Sequence, residues 1–273
     1  GRADLALRRA ATNTIDIRLG QGDGNFTAAA GWDFTPPPRG SGPGSSPGSY
    51  WSAAAGDFDG DGSTDLVVST RHQYSNSPLM LRYGDGSGGF GALRQLSAPG
   101  GQPELDYLEV EDVEHITVAD LDGSGTDDLV MSSTSTIVGT IGTFIVLGRA
   151  DRTFETVFKR RSADGTARAA ILDLNLDGAL DVAARSFPDD PFATFYGDGA
   201  GGFSGAYRWA RVFSGVNFPL VAGDFNRDGQ ADIAGADRVW LNTAGDPGSG
   251  GVAGAVSPRL TIHKRANPAS LSP

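Results

Sequence analysis

Four nine-residue phrases place oxygen-bearing side chains at a spacing suited to a hard cation. They are residues 57–65 (DFDGDGSTD), 120–128 (DLDGSGTDD), 173–181 (DLNLDGALD) and 224–232 (DFNRDGQAD). Positions 1, 3, 5 and 9 are Asp57, Asp59, Asp61 and Asp65 in the first and Asp120, Asp122, Ser124 and Asp128 in the second. The third carries Asp173, Asn175, Asp177 and Asp181, and the fourth Asp224, Asn226, Asp228 and Asp232. Alternate residues of a short loop point inward, and the backbone carbonyl at position 7 (Ser63, Thr126, Ala179, Gln230) supplies a further oxygen. Position 6 is glycine every time, which permits the sharp turn that folds these oxygens about one point. The exchanges to Asn and Ser keep an oxygen donor, so four structural Ca²⁺ sites are expected, with calcium favoured over magnesium by an all-protein oxygen cage. With no cysteine and with His72, His115 and His263 far apart, no zinc or copper site competes.

An EF-hand opens the same way but needs a Glu at position 12 and flanking helices. Position 12 here is Val68, Met131, Ala184 or Gly235. The flanks (SAAAGDF, HITVADL, AAILDL and PLVAGDF before; DLVVS, DLVMS, DVAAR and DIAGA after) are short apolar or alternating runs, the grammar of strands. Each loop is therefore expected to join two β-strands.

A second motif recurs between the loops: residues 19–26 (LGQGDGNF), 83–90 (YGDGSGGF), 147–154 (LGRADRTF) and 196–203 (YGDGAGGF). An apolar strand end, a Gly-Asp-Gly type turn and a Phe that starts the next strand make a hairpin. Residues 84–89 and 197–202 also satisfy G-x-G-x-x-G, but they run into a strand and not into the helix that dinucleotide binding requires. Residues 147–154 lack the Gly-Asp-Gly turn.

The chain is thus an internal repeat with a period near fifty, in units of about 1–56, 57–119, 120–172, 173–223 and 224–273. Four short strands per unit at that period indicate propeller blades in one all-β domain. The phrases D-x-[DN]-x-[DS]-G-x-x-D, together with residues 89–92 (GFGA) and 203–206 (FSGA), resemble the FG-GAP or VCBS repeat of the integrin α-subunit head and of mushroom lectins of the Psathyrella velutina type. The resemblance implies a β-propeller in which the innermost strand of each blade leads into a calcium loop on one rim. Five blades are expected. Gly1 to Leu5 align with Gly229 to Ile233, so the first blade lacks its own inner strand. Leu260 to His263 is expected to supply it and close the ring; a fragment of a six- to eight-bladed ring is the rival.

Composition fits: 40 Gly and 15 Pro in 273 residues suit short strands joined by tight turns. The net charge of −11 is largely local, since 13 of the 33 acids are loop ligands, and four divalent ions would bring it to −3. An acidic chain is a poor nucleic-acid binder. No signal peptide or membrane span stands out; the longest apolar region, residues 137–147, is broken by Gly and Thr. Calcium in place of disulfides suits a secreted or cell-surface protein. Asn25-Phe26-Thr27 is a formal glycosylation sequon.

Two stretches break the repeat: residues 33–50, which include a formal nucleophile elbow at 44–48 without its partners, and the acidic residues 103–115. The latter reads as a solvated rim loop or as a site for a cation or a basic partner. No catalytic residue rises above the calcium ligands. The ligand-contact candidates are aromatics near blade junctions: Trp32, Tyr50, Trp51, Tyr207, Trp209 and Trp240. The reading is a non-catalytic, carbohydrate-binding propeller whose partner is a glycan; the alternatives are a module binding an extracellular protein and a propeller of a polysaccharide lyase or hydrolase.

Overall fold

The computed structural model describes residues 5–9, 14–28, 49–71, 79–96, 113–133, 142–161, 164–166, 169–187, 192–208, 220–235, 238–242 and 260–264. The remnant loop at residues 1–4, the Pro/Gly/Ser stretch at 33–48 with its formal elbow, and residues 103–112 of the acidic stretch lie outside them. Two compact units divide the chain: residues 1–120 with 124–161, and residues 121–123 with 162–273.

All regular structure among the described residues is β, in antiparallel sheets. In the first unit, β1 (Leu5–Arg9), β2 (Thr14–Gly20) and β3 (Phe26–Ala28) form a three-stranded sheet. The next sheet holds β4 (Ser49–Gly56), β5 (Asp65–Arg71), β6 (Leu79–Arg82) and β7 (Arg94–Gln95), and the one after it β8 (Val113–Ala119), β9 (Asp128–Ser133), β10 (Gly142–Gly148) and β11 (Phe154–Arg161). The second unit contains β12 (Asp164–Thr166), β13 (Ala170–Leu172), β14 (Asp181–Phe187), β15 (Phe192–Gly197) and β16 (Phe203–Arg208), with β12 and β13 both paired to β14. Its other sheet is β17 (Val221–Gly223), β18 (Asp232–Gly235), β19 (Arg238–Asn242) and β20 (Leu260–Lys264), in that order.

The aspartate phrases join β4 to β5, β8 to β9, β13 to β14 and β17 to β18, the strand–loop–strand arrangement expected of them. Each sheet after the first begins ahead of its phrase, with one strand at β4, β8 and β17 and with the two short strands β12 and β13 before the third phrase.

The expectation for the last strand is corrected. Leu260 to His263 does not complete the first sheet; β20 pairs antiparallel with β19, from Arg238 opposite Lys264 to Asn242 opposite Leu260. The physical reason lies in the outer edge of each sheet. In the other blades a hairpin turn delivers the fourth strand, as with β11 and β16. The last repeat has NTAGDPGSGG where that turn should be, so the strand that satisfies the free edge of β19 comes from further along the chain.

Within the first unit, Phe58, the second residue of its loop, joins a core with Val67, Leu81, Leu129, Phe144 and Phe154, drawn from two neighbouring sheets. Within the second unit Leu174 holds the same loop position and packs with Leu220, Ile233 and Trp240. In these two loops the position-2 residue thus packs a large apolar side chain between neighbouring sheets.

Candidate metal centre

The four loops repeat one hydrogen-bond scheme. At position 1 a single aspartate gathers the turn: Asp57 Oδ1 accepts from the amides of Gly60 (2.8 Å) and Asp61 (3.1 Å), and Oδ2 from Gly62 (2.8 Å). Asp120 does this with Ser124 (3.0 Å) and Gly125 (3.0 Å). Asp173 takes Asp177 (3.1 Å) and Gly178 (2.9 Å), and Asp224 takes Asp228 (3.1 Å) and Gly229 (3.0 Å). The position-6 glycines make these bonds from the left-handed region, with φ between 81° at Gly62 and 90° at Gly178.

Position 5 accepts from the position-7 amide in every loop: Ser63 to Asp61, Thr126 to the Ser124 hydroxyl, Ala179 to Asp177 and Gln230 to Asp228. In the third and fourth loops the position-3 Asn donates through Nδ2 to the position-5 carboxylate, Asn175 to Asp177 at 2.8 Å and Asn226 to Asp228 at 2.7 Å. Charge that would repel is thereby partly answered inside the loop.

Position 9 has a second duty. Asp65, Asp128, Asp181 and Asp232 are fully buried. Asp65 Oδ2 accepts from the Phe58 amide and Oδ1 from Gly84, both at 2.8 Å. Asp181 takes Leu174 and Gly197 likewise, and Asp232 takes Phe225 and Asn242. Each of these carboxylates ties its loop to the end of the second strand that follows it, at Gly148, Gly197 or Asn242, or just past that end, at Gly84. Burial pushes Asp65 and Asp181 up to about 6, against the opposing pull of those amides.

Carboxylate oxygens of Asp57, Asp59 and Asp61 lie within 4.8 Å of one another, as do those of Asp120, Asp122 and Asp128. An acceptor-only cluster of this kind fits a hard cation: it is all oxygen, and its turn geometry is held by backbone amides.

The hairpins are built to meet the loops. A Cβ at Gly84 would collide with the backbone carbonyl of Thr64, at Gly148 with that of Asp127, and at Gly197 with that of Leu180. The turn in residues 147–154, which departs from Gly-Asp-Gly in sequence, closes as the others do: Arg149 N donates to Thr153 O at 3.0 Å, as Asp85 does to Gly89 and Asp198 to Gly202. Asp151 takes the Thr153 amide and hydroxyl, the role Asp85 and Asp198 play two residues earlier. Hydrogen bonding holds the Asp85 and Asp198 carboxyls below their usual range: at Asp85 from the Ser87 side chain first, and at Asp198 from the amides of Ala200 and Gly202.

The aromatic candidates fare unevenly. Trp240 is 3 % exposed and packs with Leu174, Leu220 and Ile233, so it is core and not a ligand surface. Its place is set by β19, which must fill the space under the preceding loop. Tyr50 and Trp51 lie on β4 and Tyr207 on β16, but their side chains, like all of Trp32 and Trp209, fall outside the described residues. Asn25 of the sequon sits in the first hairpin, its amide and Nδ2 both donating to Asp23.

Sequence reasoning passed over three features. Phe58 and Leu174 at position 2 were legible as an apolar residue in every phrase, with Leu121 and Phe225 completing the set. Asp127, at position 8, accepts from the Asp57 amide at 2.8 Å and returns a bond from its own amide to Asp57 O at 2.7 Å, joining the first two loops. An acid at position 8 in one phrase alone was the signal. Arg152 is the third: its Nε and Nη2 donate to Asp59 Oδ2 at 2.8 and 2.7 Å.

Comparison with known proteins agrees with the repeat. A family model described as an FG-GAP-like repeat matches residues 1–68 and 173–235, and a second, the FG-GAP repeat, matches residues 49–90. No curated protein matches the chain. Among solved structures, the chain is similar to an Agrocybe aegerita lectin that recognises non-reducing terminal N-acetylglucosamine. The two share 18 % identity at a TM-score of 0.51, over 95 % of this chain and 66 % of the lectin. It is also similar to the rhamnogalacturonan lyase YesW (16 % identity, TM-score 0.49) and to a Bacillus licheniformis rhamnogalacturonan lyase (13 %, 0.48), each over 83 % of this chain and 48 % of the lyase. The chain therefore spans just under two thirds of the lectin and about half of each lyase. The antiparallel sheets, the loops set between their strands and the matched repeats lead to one assignment: the chain is an FG-GAP repeat protein with a propeller-like, all-β fold.

Proposed function

We propose that the chain is a calcium-stabilised, secreted, non-catalytic propeller that binds carbohydrate. The observation that carries the calcium part is the shared loop scheme, in which position-1 aspartates and position-6 glycines set the same turn four times and bring three carboxylates together in two of the loops. Residues at positions 1, 3 and 5 would hold the ion with the position-7 carbonyl, and the ion would supply charge neutralisation and crosslinking and no chemistry on a substrate. The chain's own part is to keep these carboxylates aimed without metal, through amide donors from the same turn.

Carbohydrate as the ligand is supported by the likeness to a lectin over nearly the whole chain. Tyr50 and Trp51 belong to β4 and Tyr207 to β16, and aromatic rings are the side chain type that stacks on sugar rings. A glycan array probed with the calcium-loaded and the EDTA-treated protein tests this. Binding that is present with calcium and lost with EDTA is expected. An array without a hit overturns the carbohydrate reading, and turnover of a polysaccharide replaces it with an enzyme.

A further inference from the structure

The first loop is the one that carries a carboxylate at positions 1, 3 and 5 together, and a cation from another element reaches it. Arg152, from the β10–β11 turn, donates twice to Asp59 Oδ2, while Asp59 Oδ1 accepts from the Asp61 amide at 3.2 Å. Both residues belong to the first unit. The Asp59 side chain is almost wholly covered and the arginine is about half exposed.

Arg152 holds this position against its backbone. It occupies a left-handed conformation, φ 68°, at the place where the other three hairpins have glycine: Gly24, Gly88 and Gly201, with φ of 88°, 91° and 88°. A non-glycine residue stays there only when its surroundings hold it. Two contacts do so besides Asp59. The guanidinium carbon stands 4.3 Å from the centroid of the Tyr83 ring, and the Tyr83 hydroxyl donates to Arg152 O at 3.4 Å. In the third and fourth loops an Asn amide at position 3 answers the neighbouring carboxylate from within; in the first loop, Asp59 needs a charge from outside.

We propose that Arg152 is a built-in counter-cation of the first loop, which holds Asp59 in place when calcium is absent and lowers the affinity of that loop for calcium. This rests on the calcium reading of the loops. A fixed positive charge bonded to one oxygen of a ligand carboxylate repels the incoming ion and takes up part of the field that would bind it. The first loop is thereby less dependent on calcium for its shape and responds to calcium at a higher concentration than its ligand set alone would give.

The four position-6 glycine amides are separate reporters of the four loops, because each donates to the position-1 aspartate of its own loop. The test is a calcium titration of the metal-stripped, isotope-labelled chain, following the NMR resonances of Gly62, Gly125, Gly178 and Gly229, in wild type, Arg152→Gly and Arg152→Lys. Arg152→Gly restores the residue found at the other hairpins and removes the backbone strain, so folding is retained. The midpoint at Gly62 should fall by about tenfold in Arg152→Gly and that at Gly178 should stay unchanged, while Arg152→Lys, which keeps the charge, should leave Gly62 close to wild type. An unchanged or raised midpoint at Gly62 in Arg152→Gly overturns the inference, as does an equal drop in Arg152→Lys. If none of the four resonances moves, the calcium reading itself fails, and this inference with it.

Discussion

At position 9 of each phrase a carboxylate sits out of solvent, and Asp65, Asp181 and Asp232 each accept backbone amides from two segments, so their chemistry is set by burial as much as by any ion. Asp65 and Asp181 stand raised to about 6 in the metal-free protein. A carboxyl whose folded value exceeds its unfolded one favours folding while protonated. The stability these two groups confer is complete below about pH 4 and is lost as pH rises through about 6. Carboxyl NMR titration of the calcium-free chain should therefore find two midpoints near 6, and its melting temperature should fall over that interval; midpoints below 4 for both groups would contradict this. Bound calcium favours the charged form and should remove that fall. The aspartates themselves were plain in the sequence from their spacing. Their hydrogen-bond partners were not, because Gly84, Gly197 and Asn242 lie 19, 16 and 10 residues from the carboxylates they meet. Such pairings arise only once the strands have registered.

Loop and hairpin work as one element. Gly84 abuts the Thr64 carbonyl so closely that an added methyl must displace backbone, whereas a Cβ at Gly91, in the same hairpin, would meet nothing nearer than 3.7 Å. Gly84→Ala should cost about 2 kcal/mol or more by denaturant unfolding, and Gly91→Ala less than about 1. Equal costs would show that the close approach is not what requires glycine. The apolar residue at position 2 gives a parallel contrast. Leu174→Ala opens a cavity beside Trp240 and should cost about 2 to 5 kcal/mol. Phe225→Ala, at a side chain 48 % exposed, should cost less than about 1. The hairpin at residues 147–154 marks a limit of the motif: its sequence departs from Gly-Asp-Gly, yet its turn closes through the same backbone bond, with Asp151 in place of the earlier aspartate. A turn is fixed by which residues tolerate its dihedrals and who caps it, and more than one sequence meets those conditions.

For the whole molecule, the phrase repeated four times served as a ruler, and the sheets it marks are present. It misjudged the last strand. The apolar pattern of Leu260 to His263 aligns it with inner strands, but pattern alone does not say which edge a strand joins, and β19 offers β20 a five-residue register. Calcium is the account's central claim. At about ten times a dissociation constant of roughly 10⁻⁴ to 10⁻³ M, one site adds roughly 1.4 kcal/mol, and four independent sites about 5 to 6, comparable with the stability of a domain. The direct measurement is the melting temperature of the metal-stripped chain by calorimetry, with and without millimolar calcium and with magnesium as the comparison. Calcium should raise it by several degrees or more and magnesium by much less; a melting temperature indifferent to calcium would contradict the account.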